Sequence, residues 1–205
     1  MQITIKNIDV IVSGDWKDPI LEGDSILIKN GIIEAAGSVK SKDLNDSDVV
    51  IDACGATVMP GFIDSHVHIT FGDYTPRQNT VGYLQSYLQG GTTTCISASE
   101  VHVPGRPSDP QGVKALAVAA KKCFENYRPG GMKVYAGSII LEPGLTKADF
   151  LEIKKQGVWL AKAGFGKVNN AAEYIDLVFD AKSAGLFTTL HTGGASIPGS
   201  FPITG

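Results

Sequence analysis

The chain has 205 residues, three cysteines and a net charge of −3, with 43% hydrophobic and 19% charged residues. Such a length and composition predict a globular protein able to bury a core of its own. No basic surplus marks a nucleic-acid binder, the widely spaced Cys54, Cys95 and Cys123 argue against a zinc ribbon or disulfide framework, and no run approaches the ~20 apolar residues of a membrane span.

The N-terminus, "MQITIKNIDVIVSGD", alternates apolar and charged residues and lacks the basic start and continuous apolar run of a secretory leader. A cytoplasmic, reducing location is the expectation. Residues 1–58 read as β structure: "QITIKNIDVIV", "SILIKNGIIEAAG" and "DVVIDACGATVMP" hold short alternating runs, and "KNG" is a turn signal between two of them. A small β-sandwich segment is expected there, with "SVKSKDLNDSD" as an exposed loop.

After Pro60 the period changes, and residues 59–205 repeat a strand followed by an amphipathic helix. "GFIDSHVHI" is the first strand, and a helix over 77–89 carries Val81, Leu84 and Leu88 before it stops at Gly90-Gly91. "TTTCISAS" is the second strand. Asp109-Pro110 then offers an N-cap and a proline for the first helical turn, ahead of a face of Val113, Leu116, Ala117, Ala120 and Phe124. "MKVYAGSII" is the third strand, and "TKAD" resembles a capping box opening a helix with Phe150 and Ile153 on one face and Gly157 as its stop. "VWLAKAGFG" is the fourth strand. Asn169 or Asn170 caps a helix bearing Tyr174, Leu177, Val178 and Ala181, and "LFTTLHTGG" is the fifth strand. Repeated strand–helix units imply an α/β fold with a parallel sheet, open or part of a barrel. In either case the chemistry gathers at the C-terminal strand ends. Neither GxGxxG after the first strand nor a phosphate-loop GxxxxGK[ST] is present, which lowers nucleotide-binding readings. A full barrel needs three more units than these five strands, so the chain reads as a truncated one.

Three of the four histidines fall at those strand ends. His66 and His68, two residues apart on a strand, share a side and aim two imidazoles at one point. They are either hydrogen-bonded polar residues at a strand end or half of a metal site, with Asp64 on the same face as a supporting group. His191, in "TTLHTGG", presents the same two choices. His102, in "EVHVPGRP", is a substrate contact or a surface residue.

Lys162 stands inside an apolar strand, where an unpaired lysine is rare. It reaches water at the strand mouth, pairs with Glu100, or has reacted with carbon dioxide to form a carbamate whose oxygens can bridge two metals. Glu100 itself is expected to be solvated. Arg77 and Arg106 sit in loops after the first two strands, exposed or forking onto a substrate carboxylate. The loop "HTGGASIPGS", with Gly193, lets its backbone approach a ligand closely.

Taken together, "VIDACGATVMPGFIDSHVH", Lys162 at the end of strand four and His191 at the end of strand five resemble the metal-dependent amidohydrolase superfamily along essentially the whole chain. "FGDYTPRQNT", "VPGRPSDPQGVKALA", "LEPGLTKADFLEIKKQGVW" and "HTGGASIPGS" are most similar to its cyclic-enamide hydrolases of nicotinate breakdown. That branch is expected to bridge its metals with a glutamate on strand four, and Lys162 stands nearest that position here.

The resemblance implies an N-terminal sandwich followed by a (β/α)8 barrel and two divalent metal ions, zinc or a zinc/iron mixture. His66 and His68 would bind one metal, His191 the other, and carbamylated Lys162 would bridge them. It further implies hydrolysis of a small cyclic amide by a metal-bound hydroxide, and a homo-oligomer for the full-length protein, with no nucleic-acid or membrane partner. The general acid/base, an aspartate on strand eight, would lie outside these residues, leaving the fragment itself inactive. Imidazolonepropionase, dihydroorotase or dipeptidase activity are alternatives, as is a non-catalytic assembly role.

Overall fold

The computed structural model describes residues 1–40, 46–69, 80–101, 103, 105–168 and 170–191. The chain divides into two compact units, Met1–Gly61 and Phe62–Gly205.

Among the described residues the first unit holds seven strands: β1 (Gln2–Lys6), β2 (Val10–Val12), β3 (Ile20–Leu21), β4 (Ser25–Lys29), β5 (Ile32–Gly37), β6 (Val49–Asp52) and β7 (Thr57–Val58). They form a four-stranded sheet ordered β5-β4-β1-β6 and a three-stranded sheet ordered β3-β2-β7. The expected "KNG" turn joins β4 to β5. Asn30 (φ 52°) and Gly31 (φ 80°) both take the left-handed conformation that a two-residue hairpin needs. Alternation along the strands gathers Ile8, Ile11 and Ile26 into a small core, flanked by Ile5, Leu21, Ile28 and Val58.

The second unit is parallel α/β. Its strands are β8 (Phe62–Val67), β9 (Thr92–Ser97), β10 (Lys133–Tyr135), β11 (Ser138–Ile140), β12 (Leu160–Ala163) and β13 (Phe187–Leu190). Between them run α1 (Thr80–Gln89), α2 (Pro110–Asn126), α3 (Lys147–Lys155) and α4 (Glu173–Ser183). Two parallel runs result, ordered β10-β9-β8 and β11-β12-β13. The strand expected over "MKVYAGSII" is therefore two strands. Its chain leaves one run and enters the next at Ala136-Gly137, where Gly137 has φ 88°. A Cβ there would lie 2.5 Å from the Ala117 carbonyl oxygen of α2, so only glycine allows this approach. Among the described residues the strands do not close into a barrel.

The helices form where the sequence patterns place them. Asp109 caps α2 by accepting the Gly112 amide at 2.8 Å, with Pro110 in the first turn. Val113, Ala117, Ala120 and Phe124 are its buried face. Thr146 donates both its amide and its hydroxyl to Asp149 at the start of α3, and Phe150 and Ile153 are buried beneath. The cap of α4 shifts: its N-cap is Ala172, while Asn170, two residues earlier, accepts the Ala172 amide at 2.9 Å. Asn169 and residues 77–79 lie outside the described residues. No helix among the described residues is long and apolar enough to cross a membrane.

Candidate metal and catalytic site

Parallel strands bring their C-terminal ends to one edge, and the chemistry-bearing side chains meet there. His66 is on β8 and His68 follows its last residue. Lys162 is on β12, and His191 directly follows β13. The His191 amide donates to the Ala163 carbonyl at 3.1 Å, which continues the strand pairing and holds His191 beside the end of β12.

Lys162 is fully buried, and its Nζ lies 3.2 Å from Nε2 of His66. Among the described residues no carboxylate forms an ion pair with it; the water-reaching and Glu100-pairing alternatives both fail. Burial pulls its ammonium down to about 8, because desolvation disfavours the charged form. His66 also falls below its ordinary value, first through partial burial and then through the Lys162 charge, with Asp64 opposing. Asp64 acts locally by accepting the His66 backbone amide at 3.0 Å.

The His66 and His68 rings are 5.3 Å apart between centroids and nearly perpendicular. Nδ1 of His68 lies 3.3 Å from the Ser99 carbonyl. A donor Nδ1–H makes Nε2 the acceptor nitrogen of the ring, the arrangement common around metal-bound imidazoles. Ser99 turns that carbonyl inward from a left-handed backbone (φ 98°), an unusual conformation for serine.

Glu100 departs from expectation. It is 2% exposed, not solvated, and Oε1 accepts the Ser97 hydroxyl at 3.3 Å. Arg106 also sits elsewhere than on open surface. Its Nη2 donates to the Phe165 carbonyl at 2.8 Å and lies 3.9 Å from Glu142 Oε1. Arg77, His102 and Gly193 lie outside the described residues.

Three residues escaped the sequence reading. Glu142, just past β11, is wholly buried, and burial raises its carboxyl above the ordinary value. Its Oε2 accepts the Lys167 amide at 2.6 Å. A carboxylate directly after the apolar run "SIIL" was a signal that could have marked it. Ser99 and Phe165 carry no comparable signal, because one acts through backbone and the other resembles any core aromatic.

Among the described residues, no three histidine, cysteine, aspartate or glutamate side chains gather closely enough to hold a metal. The donors brought together are His66 and His68 with the Lys162 amine, and His191 close by across the Phe165 ring.

Comparison with known proteins places these features in context. The model of the amidohydrolase family matches residues 57–198. Enamidase of Eubacterium barkeri is 48% identical over 202 residues, which is 98% of this chain and 52% of the enamidase. A crystal structure of enamidase superposes with a TM-score of 0.88 at 47% identity, over 100% of this chain and 53% of that one. An adenine deaminase of Listeria monocytogenes is 34% identical over 119 residues, covering 58% of this chain and 18% of the deaminase. The chain thus spans about half the length of the enamidase and a smaller share of the deaminase.

Proposed function

Because the chain belongs to the amidohydrolase family, we propose that the full-length protein carrying it hydrolyses a carbon–nitrogen bond in a cyclic amide, as its likeness to enamidase suggests. The observation that carries this reading is Lys162: a fully buried lysine, with no carboxylate ion pair among the described residues, whose amine faces an imidazole 3.2 Å away. A buried ammonium in that place is costly. With its pKa near 8, a substantial share of the amine is neutral and nucleophilic at physiological pH. Loss of one proton frees the amine, and addition of carbon dioxide to that nitrogen with release of a second proton leaves a carbamate anion with two oxygen donors where the cation stood.

On this account a pair of divalent cations would need the carbamate oxygens, since the described histidine, cysteine and carboxylate side chains do not by themselves gather into a metal site. His66 and His68 would hold one ion, His191 the other, and the carbamate on Lys162 would supply the bridging oxygens that the histidines lack. The mixed nitrogen and oxygen set suits zinc or iron. Bound there, the ions would supply Lewis acidity and a water activated at neutral pH. The chain's own residues prepare the site. The Ser99 carbonyl fixes the tautomer and ring orientation of His68, Asp64 fixes the backbone of His66, and the core around β12 keeps water from Lys162.

Elemental analysis of the full-length protein beside Lys162→Ala tests the reading. About two metal ions per chain, falling sharply in the variant, is the expected result, as two-metal sites need the bridge. A wild type free of metal overturns the hydrolase mechanism and favours an assembly role. The similarity to adenine deaminase supports a second reading, deamination of a ring amine. A panel of cyclic amides, dipeptides and adenine separates the two, and turnover of adenine alone would reverse the order.

A further inference from the structure

The loop after β12 is built with unusual care. Gly164-Phe165-Gly166 carries a buried ring between two glycines, and neither glycine can be replaced without a clash. A Cβ on Gly164 (φ 109°) would lie 2.7 Å from Cβ of His191, and one on Gly166 would lie 2.0 Å from the Leu141 carbonyl oxygen. Three polar side chains hold the same short segment. Arg106 Nη2 donates to the Phe165 carbonyl at 2.8 Å, the Tyr174 hydroxyl accepts the Gly166 amide at 3.0 Å, and Glu142 accepts the Lys167 amide at 2.6 Å. Arg106 and Glu142 face each other at 3.9 Å, with Glu142 wholly buried.

A buried ion pair seldom adds net stability, because desolvation offsets its attraction. Its value here is geometric, since it fixes where one ring sits. The Phe165 ring is 3% exposed. Its centroid is 4.6 Å from that of His191 and 6.3 Å from that of His68, and Lys162 Nζ lies 5.7 Å from it. One apolar side chain therefore touches or faces three of the four candidate ligands, which come from three different strands.

Resting on the metal-centre reading above, we propose that Phe165 is a positioning residue of that centre, held in place by a buried brace of Arg106, Glu142 and Tyr174. The ring is a rigid spacer between His68 and His191. It restricts the rotamers of both imidazoles before a metal arrives and shields the Lys162 nitrogen from water. Arg106 serves the β12 loop through its Nη2 bond to the Phe165 carbonyl.

The test uses the full-length protein with zinc, and with cobalt(II) as a spectroscopic substitute. Three variants are compared: Phe165→Leu, which keeps an apolar side chain but loses the ring; Arg106→Lys, which keeps the charge but loses the fork; and Phe150→Leu, a substitution of a fully buried ring on α3 that controls for lost stability. Zinc affinity is read by chelator competition and ligand geometry by the cobalt absorption bands. Phe165→Leu is expected to weaken zinc by tenfold or more and to shift the cobalt bands. Arg106→Lys should shift the bands in the same sense, and Phe150→Leu should leave affinity within about twofold. Unchanged affinity and bands in Phe165→Leu, or an equal loss in Phe150→Leu, overturns the proposal. Should Phe165→Leu not fold, Arg106→Lys decides alone by the same two readouts. A wild type that binds no zinc overturns the metal-centre reading itself, whereas normal binding with an indifferent Phe165 overturns only this inference.

Discussion

At the scale of single residues, this chain depends on positions where a side chain is forbidden as well as on those where one is required. Gly137 shows the first kind. It takes φ 88°, and an added Cβ would sit 2.5 Å from the Ala117 oxygen and 2.7 Å from Lys121 Cβ. Gly137→Ala combines left-handed strain of ~1–2 kcal/mol with overpacking of ~1–3 kcal/mol. The expected outcome is a loss of several kcal/mol by urea unfolding, whereas alanine at Gly55 (φ 77°), which meets nothing within 4 Å, should cost only the left-handed strain. Lys162 shows the second kind. The sequence displayed a lysine in an apolar strand, which was enough to mark it. Only the packing around β12 shows it fully buried beside His66.

At the scale of elements, local chemistry explains most boundaries. The Asp109 cap satisfies an amide at the start of α2 that has no partner within the helix. Asp109→Ala is expected to cost about 1 kcal/mol in a denaturation experiment. The start of α3 makes a sharper, pH-dependent statement. Burial pushes the Asp149 carboxyl up, but hydrogen bonds from Lys114 and Thr146 outweigh it and hold the group below its ordinary value. A carboxyl lowered by folding contributes stability that is present above its unfolded pKa, near 3.8, and lost as pH falls through the folded value. Urea midpoints should therefore fall between about pH 5 and pH 2, and Asp149→Asn should flatten that dependence. An unchanged slope in the variant would remove Asp149 from the acid sensitivity. Where local signals misled, a long-range contact had intervened. "MKVYAGSII" has the pattern of one strand, yet the close approach of α2 at Gly137 divides it into β10 and β11.

At the scale of the whole molecule, the second unit leaves apolar surface uncovered. Ile175, Phe179 and Leu190 are 66%, 67% and 48% exposed and line an open hollow beside α4. Phe187 on β13 and Phe62 and Ile63 on β8 are also exposed. Contiguous apolar surface of this kind drives association. Residues 1–205 expressed alone are expected to run as soluble oligomers or aggregates in light scattering. Ile175→Lys with Phe179→Glu should raise the monomer fraction. A wild type that is monomeric at high concentration would show that these side chains are tolerated singly.

The sequence by itself determined the order and type of the strand–helix units, because hydrophobic period, caps and glycine stops are local and survive without any partner. It also singled out His66, His68, Lys162 and His191 as candidates, because polar residues at the ends of apolar strands are anomalous wherever they occur. Tertiary structure alone decided what those residues face. That Lys162 lies beside His66, that Glu100 is buried, and that Arg106 turns from the surface to Glu142 and the Phe165 carbonyl all follow from contacts between residues tens of positions apart. Such contacts are set by strand order and by the closeness of helix approach. Both are fixed by packing volume, which no local pattern encodes.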